Sequence, residues 1–118
     1  MSQIDTFEAM LARGQDSEML RYTLGNAYFS DKQFEPAITH LEQAVVLKPD
    51  YSAAWRVLGR ALAANGQLNK AKQAFDQGEQ VAEANGDKQT AKEINVFRRR
   101  VIKALEAAAQ TGAQDPAQ

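Results

Sequence analysis

Two stretches of this chain read LGNAYFSDKQFEPAITHLEQA at residues 24–44 and LGRALAANGQLNKAKQAFDQG at residues 58–78, which places them 34 residues apart. A Leu-Gly pair opens both stretches, and small and large residues then return at the same offsets. The equivalent positions are Leu24 and Leu58, Gly25 and Gly59, Tyr28 and Leu62, Ala37 and Ala71, Leu41 and Phe75, Ala44 and Gly78. This period predicts stacked helix-turn-helix units, which bury a core between neighbours and offer a curved surface to a partner.

Glycine and proline separate the apolar-periodic segments, and no run alternates apolar and polar residues over the length of a strand. The breaks lie at Gly14, Pro49, Gly66 and Gly86. They predict an all-α chain of about six antiparallel helices, at about residues 5–13, 17–31, 34–47, 51–65, 68–85 and 87–109. Residues 110–118 carry Gly, Pro and small polar residues without periodicity, which predicts a disordered tail.

Polar residues at the predicted helix starts are candidate caps. Asp5 with Glu8 three residues later fits a capping box, in which each side chain binds a free backbone N–H. Asp50 and Ser52 are alternative caps for the fourth helix, and Asp87 is the candidate for the last.

The 118 residues suffice for one small domain, and their formal net charge is only −1. This charge argues against whole-molecule attraction to nucleic acid or to an anionic membrane. Cysteine is absent, which excludes disulfides and thiolate metal sites. The chain begins without a secretory signal, and no stretch reaches the ~18 apolar residues of a membrane span. We therefore expect a cytoplasmic protein.

Residues 18–51 and 52–85 resemble two tetratricopeptide repeats, a family whose unit carries the Leu-Gly pair and the small and aromatic positions above. Two positions depart from the family pattern: Arg21 stands at a large apolar position, and Glu83 stands at the closing proline. The resemblance implies a tetratricopeptide-type α-solenoid that binds a protein or peptide and needs no cofactor.

The first predicted helix continues the repeat. Phe7 and Met10 lie 34 residues before Leu41 and Ala44, so this helix stands in the register of a repeat's second helix. It is therefore expected to act as an incoming half-repeat.

The last predicted helix does not continue the repeat, because Lys92 and Glu93 stand where the Leu-Gly pair would fall. An apolar face at helical spacing instead predicts a long capping helix over residues 87–109. That face carries Ile94, Phe97, Val101 and Leu105. We expect a single tetratricopeptide domain over residues 1–109.

In the family, four side chains of the first helix of each unit point into a concave groove. Helical spacing adds to this groove the polar side chains on the face of the last helix that lies away from its apolar residues. The predicted peptide-binding residues are Tyr22, Asn26, Phe29, Arg56, Arg60, Lys92, Asn95 and Arg99. Because arginine binds a carboxylate through two hydrogen bonds, an acidic peptide or an exposed C-terminus would suit this partly cationic groove. The alternatives are cations that only face water, and aromatic rings that pack against the first helix.

Other chemistry finds less support. A Lys-Asn clamp that some family members use for chaperone C-termini is not matched, since Tyr22 and Val57 occupy two of its positions. The run Arg98-Arg99-Arg100 spreads its side chains around a helix, which argues against nucleic acid. His40 is the single histidine, so no two-histidine metal site can form, and we expect it at the surface or an edge. We predict no catalytic residue, no metal and no enzymatic activity.

The rival hypothesis is a structural module that forms a homodimer through the last helix or an exposed repeat face. It is motivated by the length of that helix, on which Val96 and Ile102 could remain uncovered. A third hypothesis is an anchor for a larger assembly through the outer surface.

Overall fold

A computed structural model describes residues 2–111 as six α-helices. The helices are α1 (Gln3–Ala12), α2 (Glu18–Ser30), α3 (Phe34–Leu47), α4 (Ser52–Ala64), α5 (Leu68–Asn85) and α6 (Lys88–Thr111). The described residues contain no strand. The all-α prediction is confirmed, and the predicted helix ends agree to within about two residues, which is the scatter expected at frayed ends.

The cap of α1 lies one turn earlier than predicted. Ser2 has extended backbone geometry and accepts the Asp5 backbone N–H at 3.1 Å, while Asp5 accepts the Ser2 backbone N–H at 3.3 Å. Asp5 is therefore the partner of the cap, and the predicted pairing of Asp5 with Glu8 is wrong. Glu8 instead lies inside the helix, where its side chain turns towards α2 and α3.

At the start of α4 neither predicted cap is used. Tyr51 precedes the helix and makes no side-chain cap, and Ser52 is already helical. The Ser52 hydroxyl instead donates to Asp87 Oδ2 at 2.9 Å, across the array. Asp87 is confirmed as the cap of α6, because its Oδ1 accepts the Thr90 backbone N–H at 3.1 Å.

The helices form two overlapping triplets. α2, α3 and α4 contact one another pairwise, as do α4, α5 and α6, so the first helices α2, α4 and α6 lie side by side. The largest fully buried side chains, from four different helices, are Leu24, Leu41, Phe75 and Ile94. The repeat thus produces one continuous core rather than two.

Glycine lets the two helices of each unit approach closely. A Cβ at Gly25 would overlap the Leu41 side chain, and a Cβ at Gly59 would overlap the Phe75 ring. These are equivalent pairs at the repeat spacing, so the same small-against-large contact is built twice.

α6 covers α5, as predicted for a capping helix. Ile94 and Val101 are buried, and Phe97 and Leu105 pack against the core. The helix continues to Thr111, so the first two residues of the predicted tail are helical. The rest of that predicted tail, 112–118, lies outside the described residues.

His40 is buried, with 7% of its surface exposed, so its predicted place at the surface or an edge is wrong. Its ring stacks on Tyr28 at 5.6 Å, and Arg21 Nη1 lies 3.1 Å from its Nδ1. Glu8 Oε2 lies 3.5 Å from its Nε2 and accepts the Tyr28 hydroxyl at 2.6 Å. Arg21, which departs from the family pattern, is held by Asp16 and completes this cluster.

Candidate binding surface

Three side chains from three different helices stack across the face that α2, α4 and α6 form together, which we call the first-helix face. The guanidinium carbon of Arg60, on α4, lies 5.1 Å from the Phe29 ring centre on α2. It lies 4.5 Å from the Phe97 ring centre on α6. Both separations are those of a cation–π contact, so Arg60 bridges its two neighbouring helices.

Contacts with further aromatic rings hold the two aromatic partners of Arg60 in place. The Phe97 ring stacks on buried Phe75 at 6.3 Å between centroids, and the Phe29 ring contacts Phe34 at 5.8 Å. Arg100 extends the row, with its guanidinium carbon 5.4 Å from the Phe97 ring centre. Arg60 and Arg100 are both exposed, so their N–H groups face solvent from a supported position.

Aromatic rings also meet near the N-terminal ends of α2 and α4. Tyr22 and Tyr51 contact each other with ring centroids 5.1 Å apart, and the Lys48 ammonium lies 5.3 Å from the Tyr51 ring. Burial raises the pKa of the Tyr51 hydroxyl, which keeps this group a neutral hydrogen-bond donor or acceptor. The first-helix face therefore has an aromatic contact at each end.

Arg56 contributes less free charge than the sequence suggested. Its Nη1 donates to Glu93 Oε1 at 3.2 Å, in an ion pair that joins α4 to α6. The pair places both residues on the first-helix face but partly neutralises the arginine. Within residues 2–111 neither Arg60 nor Arg100 has a carboxylate at ion-pair distance, so these two carry the available positive charge.

The predicted groove residues of α6 lie elsewhere. Lys92 and Asn95 line a separate depression with Glu79 and Glu83 of α5, and exposed Arg99 follows on the same side of the helix. The helix turns this side towards α5 and solvent because Phe97 and Glu93 face α4. The structure therefore separates these three residues from Phe29, Arg56 and Arg60.

Asn26 lies on the other flank of α2. It lines a depression between α1 and α2 together with Tyr22. Tyr22 thus borders both this depression and the first-helix face. Phe29 packs on Phe34 and Arg60, which answers the alternative that it rests on the first helix.

Sequence reasoning missed Phe97, Arg100 and Glu93 as members of this face. The apolar pattern of α6 indicates a core position for Phe97, but a ring at the edge of an apolar face can also contact the next helix. Arg100 and Glu93 lie three and four residues from Phe97, so helical spacing around that ring would have found both.

The three consecutive arginines point in three directions, as expected. Arg98 binds Glu79 through both terminal nitrogens, at 2.8 and 3.1 Å, and also reaches Asp76 at 3.2 Å. Arg99 is exposed, while Arg100 lies over Phe97. They form no continuous basic strip.

Comparison with known proteins relates this sequence to a family. A TPR repeat family model matches residues 25–66. A TPR repeat-containing protein of Pseudomonas aeruginosa is 44% identical over 101 residues, which is 86% of this chain and 96% of the relative. The chain belongs to the tetratricopeptide repeat family. Such domains are generally protein-interaction modules without catalytic activity.

Solved structures agree with the fold. A solution structure of a Bordetella parapertussis protein superposes with a TM-score of 0.80 at 38% identity, covering 93% of this chain and 96% of that one. A tetratricopeptide repeat domain protein from Salinibacter ruber gives a TM-score of 0.66 at 21% identity, over 72% of this chain and 96% of its own. At that identity the second likeness supports the fold alone.

Residues 2–111 contain neither a membrane-spanning helix nor a metal-binding cluster. None of their helices combines the length and apolar character needed to cross a membrane. The same residues hold no group of three His, Cys, Asp or Glu side chains placed to bind a metal ion.

Proposed function

We propose that this tetratricopeptide repeat protein binds an extended, acidic segment of another protein on its first-helix face. The observation that carries the proposal is the position of Arg60, which is exposed, lacks a carboxylate partner among the described residues and is held between Phe29 and Phe97. Because these ring contacts use no hydrogen bond, the N–H groups of the guanidinium remain available to bind a carboxylate.

Pre-organisation supports this assignment. A flexible surface arginine loses side-chain entropy when it binds, whereas the two rings already hold Arg60. Arg100 supplies a second cation beyond the same Phe97 ring, so two acidic groups of one segment can be bound along the row. Tyr22 and Tyr51 offer apolar area and hydroxyl groups at the other end.

The mode of binding is recognition of a protein segment and involves no chemical step. It requires no cofactor, and the activity we assign is therefore non-enzymatic. The free C-terminal carboxylate of a partner would serve as well as an acidic side chain, because Arg60 can form the same paired hydrogen bonds with either.

Selection from a random peptide library with free C-termini tests the proposal. We expect wild-type protein to enrich peptides rich in Asp and Glu, and Arg60→Glu protein to lose that enrichment while circular dichroism shows that it is still folded at the selection temperature. Enrichment of neutral or basic peptides by the wild type, or of the same acidic peptides by Arg60→Glu protein, would overturn it.

Self-association through α6 is a second candidate. It is favoured by Val96, whose side chain is 45% exposed on the outer side of that helix. Ile102 is half-buried and thus less available than Val96. If α6 mediates pairing, Ile102→Glu should reduce the mass of a concentrated sample, and a wild type that stays monomeric would exclude this candidate.

A further inference from the structure

A depression of about 820 Å³ at the N-terminal end of the array, which we call the N-terminal seat, lies between α1 and α2. Its apolar lining comes from Ile4 and Phe7 of α1 and from Tyr22 and Ala27 of α2. Elsewhere in the array such a crease is filled, because α2 contacts both α3 and α4, and α4 contacts both α5 and α6. Among residues 2–111, no third helix packs on both α1 and α2.

The repeat identifies what the N-terminal seat lacks. Leu41 of α3 lies against Gly25 of α2, and both Leu41 and Ala44 are fully buried, whereas their equivalents Phe7 and Met10 of α1 are only half-buried. Because no helix covers these positions of α1, α1 is a second helix whose first helix is absent from residues 2–111.

The same comparison holds on α2. Val57 and Ala61 of α4 are 2% and 0% exposed, whereas their equivalents Thr23 and Ala27 of α2 are half-buried. Asn26, the equivalent of Arg60, lines the depression. Both walls of the N-terminal seat are therefore shaped for a helix of the first-helix type.

The opposite end of the molecule offers such a helix. α6 packs on α4 and α5 as a first helix does, and no second helix of its own follows within residues 2–111. It has 24 residues where α4 has 13, so it is about 16 Å longer. Because Phe97 lies against Phe75 and Ile94 against Gly78, its last two turns project beyond the start of α5.

The N-terminal seat and the exposed side of α6 are complementary in charge, and both offer apolar surface. The lining of the N-terminal seat includes Asp5 and Asp31 and no lysine or arginine. The exposed side of α6 carries Lys92, Arg99 and Lys103 around Val96. Val96 and the lysine stems can cover Phe7 while the cations approach the acidic rim.

We propose that α6 of one molecule docks in the N-terminal seat of a second copy, so that α6 and the second copy's α1 complete a repeat between them. The contact joins two different surfaces and is head-to-tail, which allows a third copy to add. It rests on self-association, the second candidate above, and is independent of peptide binding on the first-helix face.

Two surface variants block the two halves of this contact separately. Ala27→Arg fills the N-terminal seat and places a cation there, and Val96→Glu puts an acid into the cationic side of α6. Val46→Glu, at a 69% exposed position of α3, is the matched control. Circular dichroism and thermal melting establish that each variant is folded, and sedimentation velocity across a wide concentration range gives the mass.

We expect the wild type and Val46→Glu protein to grow in mass with concentration, and each blocking variant to remain a monomer. An equal mixture of Ala27→Arg and Val96→Glu proteins should form a heterodimer that grows no further, since one intact seat and one intact α6 face remain. A folded wild type that stays monomeric, or an Ala27→Arg protein that associates like the wild type, would overturn the proposal. The latter outcome would indicate symmetric pairing of two α6 helices and leave the seat unused.

Discussion

Gly59 determines how closely α4 and α5 pack, because its missing side chain leaves room for the Phe75 ring. Alanine in the middle of an exposed helix ordinarily stabilises relative to glycine, by about 1 kcal/mol. At Gly59 we expect the opposite sign: Gly59→Ala should lower the free energy of unfolding by about 1–3 kcal/mol, since the core must shift. Urea denaturation measures the difference, and an unchanged or higher stability would show that the contact yields readily.

Lys32 is the residue between α2 and α3 whose backbone has a positive φ, of 60°. Its equivalent one repeat later is Gly66, with φ of 80°, where no side chain is strained. We therefore expect Lys32→Gly to stabilise the protein by about 1 kcal/mol, because left-handed geometry is unfavourable for lysine. Urea unfolding with an unchanged dependence on denaturant would support this, and Lys32→Ala, with no gain, is the control.

Some residue contacts can be predicted from the sequence and others cannot. The Leu-Gly pairs and their large partners are predictable because the same pairs occur at equivalent positions of both repeats. His40 was placed wrongly because its neighbours Arg21, Tyr28 and Glu8 come from two other helices, and spacing within α3 carries no sign of them.

Among the helices, α6 is the one that the sequence predicts least completely. Its existence and its apolar face follow from the sequence, but the side that joins the first-helix face does not. Its register departs from the repeat after Gly86, so the family pattern no longer indicated which side faces α4. Helical spacing alone indicates the side opposite the core, which carries Lys92, Asn95 and Arg99. The contacts of Phe97 and Glu93 with α4 place the first-helix face about a quarter-turn or more away.

The start of α6 depends on Asp87. Hydrogen bonds from Thr90, together with the Ser52 hydroxyl, hold the pKa of this carboxyl below its ordinary value of 3.8. Since the folded-state pKa is the lower one, the stabilisation is complete above 3.8 and is lost as pH falls through the folded-state value. We expect Asp87→Ala to lower stability by about 1 kcal/mol at neutral pH.

The measurement is urea unfolding of both proteins at neutral pH and at a pH near 3. The difference between wild type and Asp87→Ala should shrink as the pH falls below 3.8, because protonation of the carboxyl then favours the unfolded state. A difference of equal size at both pH values would contradict the role of the ionised cap. Asp50→Ala is the matched control, since Asp50 does not cap α4.

The attachment of α1 depends on few contacts. No residue of this helix is fully buried, and Glu8 is bound by the Tyr28 hydroxyl and faces His40. The hydrogen bond to Glu8 also raises the pKa of the Tyr28 hydroxyl to about 12. We expect Glu8→Ala to increase amide hydrogen exchange throughout α1 while α4 and α5 remain protected. Uniform loss of protection in all helices, or none in α1, would contradict this.

At the scale of the whole molecule, side-chain contacts join the helices of the first-helix face, whereas within residues 2–111 the N-terminal end of the array lacks a covering helix. Phe29, Arg60 and Phe97 tie three helices together, whereas the N-terminal seat has two walls and no covering helix. The repeat predicted the stacked architecture, because each unit must bury its faces against a neighbour. The stack of Arg60 between two rings depends on α6, beyond the regular repeats, and could be seen only in the structure.

The central claim is that Arg60 on the first-helix face binds an acidic segment, and fluorescence anisotropy of a labelled acidic peptide from the library selection tests it most directly. Loss of a charged hydrogen-bonding pair predicts that Arg60→Ala weakens binding by about tenfold or more. Arg99→Ala removes an equal charge from the other side of α6 and should leave the affinity unchanged. Equal weakening by both variants would show only a general effect of charge, and weakening by Arg99→Ala alone would place the ligand on the opposite side of the helix.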